Sequence, residues 1–506
     1  MPLSQALSRI LFALTVLWGA SIVWLAPHPP MLDLPQHAGQ LALLKQLLSG
    51  DSPWADLLQV NFFTPYMLGF SLALPLSFVM PVAAALKLLL SLAYVAFVLV
   101  CIALRRHFGA DARLDWLFVT SFFGFAFKWG FFTFILTVPL GLWFILLADR
   151  YAAALSLRRG AGLAALGVVM LASHGLVFLF ACMVAGALVS ARSRNLRAWI
   201  VALWPLAFLG LACLAYFFAR DHAEAGFEVT RTVPSIMWQL GIRHEILYYA
   251  FGKQWTLLST VVGLFFLAVP WLLGLRPGRE QPARLVPFAL AAAVLCFVPS
   301  FMFETSFVYQ RFAIFLFPAY AWMFSRPADR ALMPARGQSA VLALLMVACW
   351  TVLAHNSMRT WQFGRETADF ERVVAGLEPR QRALALIFDR ASLADADPVM
   401  YVHYAAWYQA ERQGLVDFNF AWVPPQIVRY RVAARPPVIM SFSWRPQDFD
   451  WGRHQGGNYR YFFVRHREPL PAKLFQGAPC APKLVQQSGG WKVYERIACA
   501  DARAPG

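Results

Sequence analysis

The sequence predicts a polytopic α-helical membrane protein of about eleven transmembrane helices with a C-terminal extracytoplasmic α/β domain. Three observations carry this prediction. Of the 506 residues, 59% are hydrophobic and only 14% charged, against about one quarter charged in soluble domains. The apolar residues fall into blocks of about 17–25, the length that crosses about 30 Å of hydrocarbon. Beyond residue 355 the blocks stop and the composition becomes that of a soluble domain.

Charge sets the orientation of each element. Lys and Arg exceed Asp and Glu by 44 to 27, a net charge of +17. Much of the excess lies in short loops between apolar blocks, which is the positive-inside pattern and not a nucleic-acid surface. Arg9 precedes the first block, 10–26, so the N-terminus is placed in the cytoplasm. No small-residue cleavage pattern follows that block, and it reads as a retained first helix. Residues 27 to about 64 then form a Pro-rich outer loop. Arg105, Arg106 and Arg113 follow the run 65–104, so only one crossing fits there. The span is 83–104, and 65–80 is a short helix on the outer face. Spans at 114–127 and 131–148 lead to Arg150, Arg158 and Arg159. The run 161–190 is basic at both ends and needs two short helices, turned at Ser173-His174-Gly175. Further spans are expected at 198–218, 255–275, 285–302, 308–325 and 338–355. The transmembrane domain is therefore 1–355, with outer loop 27–82, and 356–506 is the periplasmic α/β domain. Within it, 383–389, 438–442 and 459–464 read as strands, and 399–413 as an amphipathic helix.

Cys101, Cys182, Cys213, Cys296 and Cys349 sit in apolar blocks as small hydrophobes. Cys480 and Cys499 lie in the polar tail and are either bridged or independent thiols. No zinc-type spacing, P-loop, HExxH or GxSxG stretch occurs, which argues against ATP-driven transport and standard hydrolase chemistry.

Chemistry-bearing residues concentrate at the outer boundary. Asp33-Leu34-Pro35-Gln36-His37 places an acid and a His four residues apart at a helix start. Asp33 fits either a helix cap or a base for a hydroxyl at the membrane surface. Lys128, in the turn Phe127-Lys128-Trp129-Gly130, fits a snorkelling lysine or a contact to a lipid phosphate. Arg311, at the outer start of the span 308–325, fits an ion pair with Glu304, an interfacial anchor, or a phosphate fork. His174 is a buried turn residue or a contact to donor or acceptor. Glu304 is a second acid or the partner of Arg311. His403, Tyr404, Trp407 and Tyr408 form an aromatic stripe suited to a core or to acceptor binding.

This layout resembles the GT-C membrane glycosyltransferases. The shared features are a first helix, a long outer loop opening on an acid at 33–37, a short surface helix, paired short helices and an outer C-terminal domain. The resemblance implies a donor sugar on a polyprenyl phosphate, transferred to a glycan, lipid or protein acceptor at the periplasmic face of the bacterial inner membrane. It also implies that Asp33 is the catalytic base, with His37 beside it. The turn at 127–130 lacks the second acid that many members carry. A divalent-metal cofactor is therefore not supported, because Asp33 and His37 are too few ligands. Membrane lipids are the other expected partner. Two other classes remain open: a transporter or flippase for a lipid-linked or anionic solute, and a non-catalytic assembly subunit. The spans show no two-half repeat, and the polar residues cluster at one face and not at the midplane, which disfavours transport.

Overall fold

The computed structural model describes residues 5–223, 236–238, 240–253, 256–278, 280–302, 305–327, 335–438 and 440–499. In chain order, α1 (Gln5–Ser21) leads to α2 (Leu34–Ser49), strand β1 (Leu58–Val60), α3 (Met67–Val79) and α4 (Val82–His107). Next come α5 (Trp116–Ser121), α6 (Phe125–Trp129), α7 (Phe132–Ala153), α8 (Leu157–Leu171), α9 (Gly175–Arg192), α10 (Leu196–Ala202) and α11 (Trp204–Ala223). Five two-residue strands follow, β2 (Ile236–Met237), β3 (Arg276–Pro277), β4 (Phe301–Met302), β5 (Thr305–Ser306) and β6 (Phe324–Ser325), among α12 (Ile246–Tyr249), α13 (Leu257–Leu272), α14 (Val286–Phe297) and α15 (Leu316–Trp322). The long α16 (Ala335–Glu366) and α17 (Ala368–Ala375) precede β7 (Arg382–Ile387), α18 (Ala406–Arg412), β8 (Leu415–Asp417), β9 (Val428–Tyr430), β10 (Tyr461–Arg465), β11 (Lys483–Ser488) and β12 (Trp491–Glu495).

The chain is a multi-pass membrane protein. Among the described residues, five helices are long and apolar enough to cross a membrane: Ala6–Trp24, Val82–His107, Phe132–Ala153, Gly175–Arg192 and Gly337–Ala375. The pair Leu196–Ala202 and Trp204–Arg220, bent by 49°, makes a sixth if counted as one span. Other apolar blocks in the expected eleven become shorter helices, such as α13 and α14. The block 114–127 is not one helix. It breaks at Gly124, where a Cβ would lie 2.6 Å from the Tyr249 carbonyl oxygen, so the neighbouring backbone occupies the space a side chain needs. The turn at 173–175 falls where the sequence puts it, between α8 and α9.

Two compact units result, Met1–Ile22 with Leu89–Ser357, and Val23–Leu88 with Met358–Gly506. In the first, α7 packs on α8 and α9. Gly141 permits that approach, since a Cβ there would meet Val177 at 2.7 Å. The fully buried Asp149 receives hydrogen bonds from Arg192, both at 2.7 Å, and lies 2.7 Å from His107. One carboxylate thus gathers the ends of α4, α7 and α9, which the charge pattern assigns to the same side.

In the second unit a five-stranded sheet has the order β11-β12-β10-β7-β8. β10, β7 and β8 are parallel, and β12 runs antiparallel to both β10 and β11. Leu384, Leu386, Phe462 and Val464 alternate onto one face and bury against Phe442, Phe449 and Trp451. β1, from the stretch between α2 and α3, pairs antiparallel with β9. α2 packs on α18. Its start is favoured by Pro35, and Gly50 at φ +72° ends it in the left-handed conformation.

Two expectations need correction. Residues 440–444 form a 3-10 turn and not a strand. Phe442 reaches the core without a ladder partner, and a short apolar run carries no period that separates the two outcomes. The helix expected at 399–413 is regular only over Ala406–Arg412, because local turn bonds such as Tyr404 N–H to Tyr401 O hold the preceding residues.

Cys480 and Cys499 are bridged, with Cα atoms 5.7 Å apart, closing a loop around the β11–β12 hairpin. For a loop of this size the bridge contributes about 2–4 kcal/mol. Replacing both cysteines with serine is expected to lower the unfolding midpoint of the second unit measured by denaturant titration. An unchanged midpoint would remove the bridge from its stability.

Candidate active site

The second unit builds a polar centre on the buried helix α2. Gln36, His37 and Gln40 face inward, an unusual content for a buried helix, and backbone groups of 418–428 meet them. Gln36 Oε1 accepts from Phe420 N–H at 2.9 Å, and Gln40 Oε1 accepts from Val428 N–H at 2.9 Å. Those contacts orient the Gln36 amide. Its Nε2 donates to Phe418 O and to His403 Nδ1, both at 3.3 Å. His403 therefore carries its proton on Nε2. That nitrogen lies 3.5 Å from Asp33 Oδ1.

Asp33 occupies the N-cap position of α2, yet its side chain makes no capping hydrogen bond. It faces His403 instead. The simple cap role left open by the sequence is not what its carboxylate performs. His37, one turn on, lies edge-on to Phe420 with centroids 5.6 Å apart, and His403 contacts the same ring at 5.8 Å. Asp33, His37 and His403 are all buried. Burial lowers the His403 pKa to about 4, so the ring is neutral at pH 7 and presents an N–H to the acid.

The unfolded chain would protonate His403 near pH 6.5. Stability from the neutral buried ring is thus fully present above 6.5 and is lost as pH falls from 6.5 toward 4. The shift corresponds to about 3 kcal/mol. His403→Gln is expected to flatten the fall in unfolding free energy between pH 6.5 and 4.5. An identical pH profile in the variant would refute the assignment.

A second histidine cluster lies in the same unit. His28 is buried, with Nδ1 2.8 Å from Glu371 and Nε2 2.5 Å from Glu411. Its ring stacks on Trp407 at 3.9 Å. Burial opposes its charge, but the two glutamates overcome that and raise its pKa. Among the described residues this is the one group with a metal-ligating composition. Both ring nitrogens already face carboxylates, so the donor set is satisfied as an ion-paired imidazolium and does not suit a shared cation.

In the first unit, Lys128, His174 and Arg311 are all buried. Arg311 lies over the Phe131 ring at 3.5 Å and donates to Ser306 O at 2.9 Å. Phe131 follows α6, which holds Lys128 and packs on the turn carrying Arg311. His174 meets Phe134 edge-on at 5.2 Å, and Phe134 meets Phe312 at 5.8 Å. Glu304 lies outside the described residues. Lys253, not singled out by the sequence, sits 5.0 Å over the Trp129 ring.

Sequence reasoning missed Gln36 and His28, and it treated His403 as part of a stripe. Their partners lie more than 340 residues away. The one available signal was the density of polar side chains at 33–40 in an otherwise apolar region.

No protein-family model matches the sequence, and no curated protein matches it. Among solved structures, the chain is similar to arabinofuranosyltransferase AftD from mycobacteria, with a TM-score of 0.50 and 16% identity over 98% of this chain and 40% of that one. A mutant form of AftD gives a TM-score of 0.49 at 16% identity, covering 98% of this chain and 42% of that one. This chain thus spans less than half the length of the AftD chains it matches. The likeness, at that identity, is one of fold.

Proposed function

We propose that the protein is an inverting membrane glycosyltransferase that moves a sugar from a polyprenyl-phosphate donor to an acceptor hydroxyl. The observation that carries the proposal is Asp33, a buried acid released from capping and aimed at a neutral, amide-oriented histidine. The likeness in fold to an arabinofuranosyltransferase supports it. Asp33 takes the proton of the acceptor hydroxyl as that oxygen attacks the anomeric carbon. The bond from that carbon to the phosphate oxygen breaks, and its electron pair leaves with the polyprenyl phosphate. Arg311 and Lys128 meet the charge on the phosphate, Arg311 through its guanidinium fork. His174 contributes to binding of donor or acceptor, and His37 shapes the surroundings of the base. A single displacement inverts the anomeric centre. The reaction is assigned to the periplasmic face of a bacterial inner membrane, with the N-terminus cytoplasmic. The disulfide agrees with an oxidising compartment for the second unit.

The test is turnover by purified protein given radiolabelled polyprenyl-phosphate sugars and a panel of acceptors. Release of polyprenyl phosphate with label in the acceptor supports the transferase. Movement of intact lipid-linked sugar across proteoliposomes, with no transfer, would replace it by a transporter.

A further inference from the structure

In open α/β sheets, ligands bind beyond the carboxyl ends of parallel strands, where adjacent strands send their connections to opposite sides. β7 and β10 meet this condition. From β7 the chain proceeds to β8 on one flank, and from β10 to β11 and β12 on the other. At the carboxyl ends of that pair lies a cleft of about 510 Å³, whose lining includes Glu366, Asp369, Arg465, Arg467 and Trp491 together with the apolar Leu393 and Ala394. Its volume falls within the roughly 300–1,000 Å³ of small-ligand sites.

The cleft is lined by held groups. Arg465, 5% exposed, pairs with Asp389 at 2.8 Å and lies 3.6 Å from the Tyr401 ring centre. Its Nε has no hydrogen-bond partner among the described residues. Arg467 reaches the same Asp389 at 2.6 Å. Glu366 accepts from the Ser392 hydroxyl at 2.7 Å and Ala394 N–H at 3.0 Å. Asp369 accepts from the Ser488 hydroxyl at 2.7 Å and from Arg372 at 2.6 Å. Among the lining residues, Arg465 and Arg467 balance Glu366 and Asp369. Donors and acceptors without net charge, beside an indole and apolar side chains, suit a ligand whose polar groups both donate and accept and whose C–H faces are apolar. Neither an anion nor a cation is favoured there. We propose that this cleft binds a neutral oligosaccharide, independently of the chemistry at Asp33.

Saturation-transfer NMR on the full-length protein in detergent tests this with three probes: an arabinofuranosyl pentasaccharide, mannotetraose and tetragalacturonate. The expected result is saturation of a neutral probe, weakened at least tenfold by Asp369→Asn and by Arg467→Ala. Arg467 is half-exposed, so its loss leaves the core intact. Asp33→Asn should leave this binding unchanged even where it removes transfer, which separates the two sites. The proposal is overturned if no probe binds, if only tetragalacturonate binds, if both cleft variants bind normally, or if Asp33→Asn abolishes binding.

Discussion

Asp33→Asn is expected to lower sugar transfer by about 10² to 10⁴-fold, the usual contribution of a positioned general base. The substitution keeps the shape of the side chain and removes only its ability to take a proton. His403 still has an acceptor facing its N–H, and the backbone bond from His37 N–H to Asp33 O, at 3.2 Å, is untouched. Folding and insertion should therefore match the parent, as judged by thermal unfolding and detergent gel filtration. Donor affinity should change little, so the loss falls on kcat. A variant that retains transfer within tenfold of the parent would take the base role away from Asp33. A variant that unfolds would be replaced by His403→Gln, which leaves the acid in place and tests whether its neighbour matters.

The largest stability effect is expected at Asp417. This residue is 1% exposed and receives Arg382 Nη2 at 2.8 Å and Nε at 3.1 Å. It also accepts from the Tyr430 hydroxyl. Three strands meet here: β7 through Arg382, β8 through Asp417 and β9 through Tyr430. Asp417→Ala strands a guanidinium, 15% exposed, on which burial opposes charge and the carboxylate now outweighs it, raising its pKa. Breaking a buried pair from one side costs about 3–5 kcal/mol. The second unit should lose that much in denaturant titration, more than the double cysteine variant loses. A change below about 1 kcal/mol would show that water or a neighbour replaces the carboxylate.

Much of the topology was readable because membranes impose a strong code. Block length and the basic loops place α4, α7, α8 and α9 to within a few residues, and the turn at Ser173-His174-Gly175 falls between α8 and α9, whereas the block 308–325 holds only a 3-10 turn and the short α15. The resemblance in layout at the sequence level is met by the likeness in fold to AftD. Local patterns failed where distant backbone decides. Gly124 breaks its helix because residues 249 and 250 pass beside it. Phe442 is buried without a strand, and its short apolar run carries no period that separates the two outcomes. At the candidate site, the acid before a Pro-initiated helix was visible at 33–37. The histidine that faces it was not, because nothing in the intervening chain marks Gln36 and His403 as neighbours.

The second unit is assembled from two stretches separated by the whole of residues 89–357. α2 is buried along nearly its entire length, and β1 takes its ladder partner from β9. During synthesis the ribosome must therefore release the first stretch long before the second exists. Closing so long a loop is slow, and the waiting segment exposes an apolar helix and an open strand edge meanwhile. Until translation is complete, α2 and the edge of β1 thus lack the cover that the second stretch supplies.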